Sequence, residues 1–415
     1  MSLQLWVLAI GLGLAYSLAL AFTTSWLAGK KRRNRTAWFL LGFLFSVLPL
    51  IVVAFIGEGP PPPTGLGGEN LVEVRGLRKW FPVQQGLIAT LLARGHTDYV
   101  KAVDGVDFAI KRGEVLGLAG ESGSGKSTVG RLVLRLLDPT EGDVLLDGVD
   151  LATLSREQLR QYRYKMQVVF QDPLASLNPR MTVGQAIEHP AQIHLPDMPA
   201  EERKRMVFEL LEAVGMSPPD FFYNKYPHQV SGGQRQRIVL ARALITRPEL
   251  IVADEPIASA DVSVQALLLE LMIKLRKEFD LTYLFITHDL ATTKYICDRI
   301  GIMYLGKIVE IGPLQEVFEN PQHPYTKALL SAVPVPDPRH RRTEPLPAGE
   351  IPNPINPPSG CNFHPRCPIA AMGVCDQQDP TLLPVEGSAE HLVSCHLRTG
   401  AFTHLYADRS SGEDL

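Results

Sequence analysis

The sequence predicts an α/β fold, and three observations point to it. Residues 120–128 read Gly120-Glu121-Ser122-Gly123-Ser124-Gly125-Lys126-Ser127-Thr128, a full G-x-x-x-x-G-K-[ST] pattern. An apolar run, 114–119, precedes it as a buried strand, and a second apolar run, Thr128 to Leu137, follows it as a helix. Strand-like and helix-like runs then alternate across 100–330, the signature of a layered α/β domain.

Strand, glycine loop and helix together form a phosphate cradle. Glycines let backbone N–H groups crowd around phosphate oxygens, and the helix N-terminus adds positive potential. Lys126 is expected to reach the β/γ-phosphates and Ser127 to hold Mg²⁺. A chance Gly/Ser turn is the competing reading, and the complete spacing with both flanks argues against it. About a hundred residues on, Val230-Ser231-Gly232-Gly233-Gln234 stands before a basic amphipathic helix, 235–247. The first N–H groups of that helix have no partner within it, so it too can bind phosphate. A solvated helix cap is the bland alternative. One chain has no need of two such sites for one nucleotide, whereas two chains facing head to tail do. On these two phrases the sequence resembles an ABC-type ATPase. That resemblance implies a RecA-like core with an antiparallel β subdomain and a helical subdomain over 178–228, within an ATPase domain spanning 70–330.

The other expected parts follow in order. Leu250-Ile251-Val252-Ala253-Asp254-Glu255 is an apolar strand ending in two acids. Asp254 would hold Mg²⁺ through water and Glu255 would polarise the attacking water, since phosphoryl transfer asks mostly for positioning and charge neutralisation. In 284–289, Leu-Phe-Ile-Thr-His-Asp, His288 matches the histidine that contacts the γ-phosphate in this superfamily. Gln171 in 168–173 matches the glutamine that senses Mg²⁺ and the transport partner. In Lys79-Trp80-Phe81-Pro82 an aromatic is expected to stack on adenine, and Phe81 is favoured over Trp80. One departure stands in 256–261: Asp261 is in place, but the usual serine position is Ala258, which puts communication across the two-chain interface in question. With Glu255 present, ATP hydrolysis is still expected.

Finer wording narrows the resemblance. Residues 166–179, 226–237 and 320–330 resemble the peptide-importer branch. The insert between Phe81 and Lys101 and the phrase 130–136 are similar to the second, F-type, ATPase subunit of oligopeptide/dipeptide systems. The likeness covers about 70–400 and leaves out the first sixty residues. It implies a second ABC ATPase as heterodimer partner, two permease subunits, and indirectly an extracytoplasmic solute-binding protein. It also implies the cell membrane as location, with the ATPase on the cytoplasmic side. Peptides, nickel, certain sugars and glutathione all remain open as solute, because these subunits do not touch it.

Composition agrees with this. In 415 residues, 44 acids balance 41 bases, which argues against a bulk nucleic-acid binder. Segments 3–28 and 37–56 carry no Asp, Glu, Lys or Arg, and both meet the length of a membrane helix. A basic run, Lys30 to Arg35, lies between them. Basic loops prefer the cytoplasm, yet two spans with that loop inside would leave the ATPase outside. Two spans, or one span with a re-entrant segment, are both open. Residues 58–69, with four consecutive prolines, read as a linker.

The stretch 331–360 is proline-rich without apolar period and is expected to be an extended connector to a Cys-rich tail. Cys361, Cys367, Cys375 and Cys395 cluster there, in a compartment where structural disulfides are not expected. Four thiolates suit a [4Fe–4S] cluster or Zn²⁺; reduced, unliganded thiols are the third reading. Around 360–368 the wording is similar to a tail that carries a [4Fe–4S] cluster in some members. Cys297, in an apolar helix, reads as core. Two other classes stay in view: a non-transport ABC ATPase, and an iron–sulfur redox sensor with a regulatory nucleotide site.

Overall fold

The structure, a computed structural model, describes residues 21–23, 25, 68–83, 98–258, 260–333 and 349–399. The chain divides into two compact units, Met1–Thr64 and Gly65–Leu415. In the first, residues 21–23 and 25 are helical; apart from these, the expected membrane segments 3–28 and 37–56 lie outside the described residues. Among the described residues no helix is long and apolar enough to cross a membrane.

Among its described residues, the second unit has two sheets. Its strands are β1 (Asn70–Pro82), β2 (Tyr99–Lys111), β3 (Val115–Ala119), β4 (Glu141–Leu146), β5 (Val149–Asp150), β6 (Met166–Val169), β7 (Leu250–Asp254), β8 (Thr282–Thr287), β9 (Arg299–Tyr304), β10 (Lys307–Pro313), β11 (Leu383–Pro384) and β12 (Leu392–Val393). The smaller sheet is antiparallel, in the order β2-β1-β4-β5. The larger runs β11-β12-β10-β9-β3-β8-β7-β6. From β9 through β6 its neighbours are parallel.

Alternation within the central strands explains the layering. Val115 of β3, Ile251 and Ala253 of β7, and Tyr283 and Phe285 of β8 pack into one hydrophobic cluster. Their chain neighbours Leu116, Leu118, Leu250, Val252, Leu284 and Ile286 pack into another. Successive side chains point to opposite faces, so a strand covered on both faces must read as a continuous apolar run.

The helices used below are α1 (Lys126–Val133), α2 (Val183–His194), α3 (Ala200–Ala213), α4 (Gly232–Leu244), α5 (Val262–Phe279), α6 (Leu290–Ile296) and α7 (Pro324–Ala332). Residues 178–228 hold α2, α3 and a short helix Pro219–Tyr223, and their apolar faces join α4 in the first cluster through Ile187, Leu211, Phe222 and Ile238. The expected connector from 331 begins slightly later, because α7 runs through Ala332 and stops before Pro334, as a following proline disfavours helical backbone. Residues 334–348 lie outside the description.

The last stretch of chain returns to the sheet. β12 pairs with β10 through Glu310↔Val393 and Ile311↔Leu392. The fully buried Glu310 ties this junction. It accepts from Gln322 N–H (2.7 Å) and His323 N–H (2.8 Å), and it meets His391 Nε2 at 2.7 Å. Phe363 inserts against Tyr304 and Tyr325, with ring centroids 5.3 and 5.4 Å apart.

Candidate functional site

Register gathers the polar residues at one end of the parallel strands. Ala119 pairs with Thr287, and Asp254 pairs with Ile286. Gly120, Glu255 and His288 therefore leave the carboxyl ends of three adjacent strands, where ligands of open α/β sheets bind.

The 120–128 loop wraps the start of α1. Gly125, the residue before α1, has φ 105°, and a Cβ there would collide with the Ala102 carbonyl. A Cβ on Gly120 would likewise collide with the Met303 carbonyl. Lys126 lies folded into this loop: its Nζ donates to Gly120 O (2.8 Å), Glu121 O (2.9 Å) and Ser124 Oγ (3.3 Å). Burial pulls its pKa below the ordinary lysine value, against the carboxylates of Glu255, Asp254 and Glu121, which raise it. Ser127 Oγ donates to Asp254 Oδ1 at 2.8 Å. Burial pushes the Asp254 carboxyl up, opposed by that hydrogen bond.

Glu255 adopts φ 49°, and its N–H donates to Ile286 O at 2.9 Å. Its Oε1 lies 3.0 Å from His288 Nδ1. Both line a cavity of about 240 Å³ with Ala258, Gln265, Thr287 and Asp289. Asp289 caps α6 by accepting from Ala291 N–H. The structure thus brings together Gly120–Thr128, Asp254, Glu255 and His288.

Gln171 is exposed and leaves the carboxyl end of β6, next to β7: Val169 pairs with Ala253, two residues before Gln171 and Glu255 respectively. The remaining candidates are placed as follows. Ser231 caps α4, accepting from Gln234 N–H (3.3 Å) while Gln234 Oε1 accepts from Ser231 N–H (2.9 Å). Gly232 and Gly233 are its first helical residues. No hydrogen bond among the described residues joins 231–234 to the 120–128 loop. Asp261 precedes α5 without a side-chain cap bond. Trp80 donates its indole N–H to Asp104 Oδ1 at 3.3 Å, whereas Phe81 sits beside Lys79, with Nζ 5.2 Å from its ring.

The donor chemistry fits a magnesium nucleotide. A serine hydroxyl and a carboxylate are hard oxygen donors of the kind Mg²⁺ takes. Gly120 and Gly125 admit no side chain, because a Cβ there would meet the carbonyls of Met303 and Ala102, which keeps the loop backbone close against its neighbours.

The tail does not meet the same test, which corrects the expected four-cysteine metal site. Among the described residues no three His, Cys, Asp or Glu groups are placed to hold a metal ion. Cys361 and Cys367 pack against the cluster that holds Phe363 and Val309, and Cys361 and Cys395 also pack against Cys375, Ala371 and Leu397. Burial pushes the Cys361 thiol up to about 12 and raises that of Cys395. Neither the [4Fe–4S] cluster nor Zn²⁺ is supported by this arrangement.

Sequence reasoning missed three residues behind the loop. Tyr325 OH accepts from Glu121 N–H at 3.0 Å, and Arg366 Nη1 donates to Glu121 Oε2 at 3.3 Å. Asn362 Nδ2 donates to Leu305 O at 3.1 Å. No local signal in the sequence links positions so far apart.

Comparison with known proteins bears on this geometry. Residues 103–258 match the family described as "ABC transporter", and 309–375 match "Oligopeptide/dipeptide transporter, C-terminal region". The oligopeptide transport ATP-binding protein AppF of Bacillus subtilis (strain 168) is 49% identical over 337 residues, covering 80% of this chain and 99% of that one. The putative oligopeptide transport ATP-binding protein YkfD of the same organism is 52% identical over 306 residues, covering 73% and 92%. Among solved structures, a dimeric post-hydrolysis state of the ATP-binding cassette MJ0796 bound to ADP and Pi superposes with TM-score 0.51 at 30% identity, covering 59% of this chain and 98% of that one.

Proposed function

Because this chain belongs to the ATP-binding subunits of oligopeptide/dipeptide ABC transporters, we propose that it hydrolyses ATP at a site shared with a second chain and so drives peptide uptake through two permeases. The observation that carries the chemistry is the pairing at the strand ends: Ser127 on Asp254 at 2.8 Å, and Glu255 beside His288 at 3.0 Å. Lys126 swings from its loop carbonyls to the phosphates. Ser127 and Asp254 would hold Mg²⁺, which when bound would spread the phosphate charge. Glu255 accepts a proton from the attacking water, and His288 orients that carboxylate and the γ-phosphate. Phe81, half-buried near the end of β1, stacks on adenine.

The 231–234 phrase serves the nucleotide of the facing chain. Its exposed Ser231 and Gly232 at the start of α4, without a described bond to the chain's own loop, support that reading. The MJ0796 cassette is described as a dimer with ADP and Pi. The partner here is a second, non-identical ATPase, and the complex sits on the cytoplasmic face of the cell membrane, fed by an extracytoplasmic solute-binding protein. Reconstitution with both permeases, the partner ATPase and a peptide-loaded binding protein tests it. ATP-dependent peptide accumulation in proteoliposomes is expected, and ATP turnover without peptide movement overturns the transport assignment.

A further inference from the structure

Glu121 is the one acid in the 120–128 loop, and its charge reaches Lys126. A carboxylate beside a polyphosphate opposes binding unless a cation answers it. The answering cation comes from the far end of the chain. Arg366, whose side chain is 9% exposed, places Nη1 3.3 Å from Glu121 Oε2 and 3.4 Å from Tyr304 OH. The fully buried Tyr325 accepts from Glu121 N–H at 3.0 Å. That N–H is thereby directed away from the phosphate space and backwards into the protein. The support is itself braced. Phe363 packs on Tyr304 and Tyr325, Asn362 holds the Leu305 carbonyl, and Gly306 N–H donates to Ser124 O at 2.9 Å. The same short segment, 361–366, therefore both seats on the 304–306 turn and neutralises the loop carboxylate.

We infer that Arg366 and Tyr325 are positioning residues for nucleotide binding: Arg366 cancels the Glu121 charge and Tyr325 fixes the Glu121 backbone, so that the seating of the C-terminal tail sets ATP affinity. This rests on the ATPase reading above and assigns the tail a part in it. A residue that merely stabilises the fold would lower the melting temperature without acting selectively on ATP.

The test uses the full chain assembled with its partner subunits. ATP affinity is measured by equilibrium binding, and KM and kcat by steady-state turnover. Arg366→Gln is expected to weaken ATP binding about tenfold, the size of one lost charge-assisted hydrogen bond. KM rises by a similar factor and kcat falls by much less. Arg366→Lys restores part of the affinity. Glu121→Gln in the Arg366→Gln background recovers affinity, because no charge is then left to cancel. Tyr325→Phe, which removes only the accepting oxygen, weakens binding about threefold. Unchanged ATP affinity in Arg366→Gln, or a loss that Glu121→Gln does not relieve, overturns the proposal. Should Arg366→Gln fail to fold, Arg366→Lys and Tyr325→Phe decide it, and wild-type affinity in both overturns it. Absence of ATP binding by the wild-type complex would instead strike the nucleotide reading itself.

Discussion

Glu255→Gln isolates the chemical step from binding. Glutamine has the same shape, meets the same backbone demand at φ 49°, and leaves the N–H bond to Ile286 O in place. Its amide oxygen can still face His288 Nδ1, which lies 3.0 Å from the native carboxylate. The bonds of Lys126 to Gly120, Glu121 and Ser124, and of Ser127 to Asp254, do not involve Glu255. The cradle therefore survives and the base alone is lost. A positioned base contributes about 10²–10⁴-fold, which is roughly 2.7–5.4 kcal/mol of barrier. Turnover of the assembled complex should fall by that factor while ATP affinity stays within about threefold, well under the 1.4 kcal/mol of a tenfold change. Lys126→Ala is the contrasting control, and it should lose ATP binding itself. The assays are steady-state phosphate release and equilibrium nucleotide binding. A Glu255→Gln complex that keeps more than about a tenth of wild-type turnover would refute Glu255 as the base, given the usual size of such effects.

Three further outcomes are expected. Burial raises the Asp254 pKa, so its contribution to stability is full below the unfolded carboxyl value and lost as pH rises through the folded one. Asp254→Asn, which still accepts from Ser127, should melt higher than the nucleotide-free wild type near neutral pH, with the gap closing towards about pH 4; a gap independent of pH in thermal scans would contradict this. Glu310→Ala removes an acceptor that serves Gln322, His323 and His391 and leaves His391 buried without it, and a loss of about 3–5 kcal/mol is expected. Denaturant unfolding measures it, and a loss under about 1 kcal/mol would show that Glu310 is dispensable. Finally, the uncharged segments 3–28 and 37–56 should hold the full chain in membranes through alkaline carbonate extraction, while deletion of residues 1–58 releases it; equal solubility of both forms would reject these segments as anchors.

Contiguity decided what could be read from the chain. In 115–133 the strand, loop and helix are consecutive, so the spacing of glycines and apolar residues already states their geometry. The acids after 250–253 and the histidine after 284–287 likewise ride on strands whose apolar runs are plain. The tail behaved differently. Four cysteines in 35 residues suggest ligands, but spacing says nothing about the apolar surroundings in which those side chains pack. Nor does the sequence say which of two adjacent aromatics is occupied: Trp80 is engaged by Asp104 because β1 and β2 pair across that point. The contact between Arg366 and Glu121 spans 245 positions and has no periodic or motif signature at all.

That same separation has a consequence during synthesis. A ribosome adds about 5–20 residues per second. Glu121 leaves it roughly 12–50 s before Arg366 does, since 245 positions part them. Through that interval the nascent loop carries an uncancelled carboxylate, and β10 lacks the strand that later covers it. A nascent or prematurely terminated chain would thus grip ATP poorly and expose an unpaired sheet edge, the kind of surface on which chains associate. The finished subunit closes both defects as the tail arrives, Arg366 first and β12 after it.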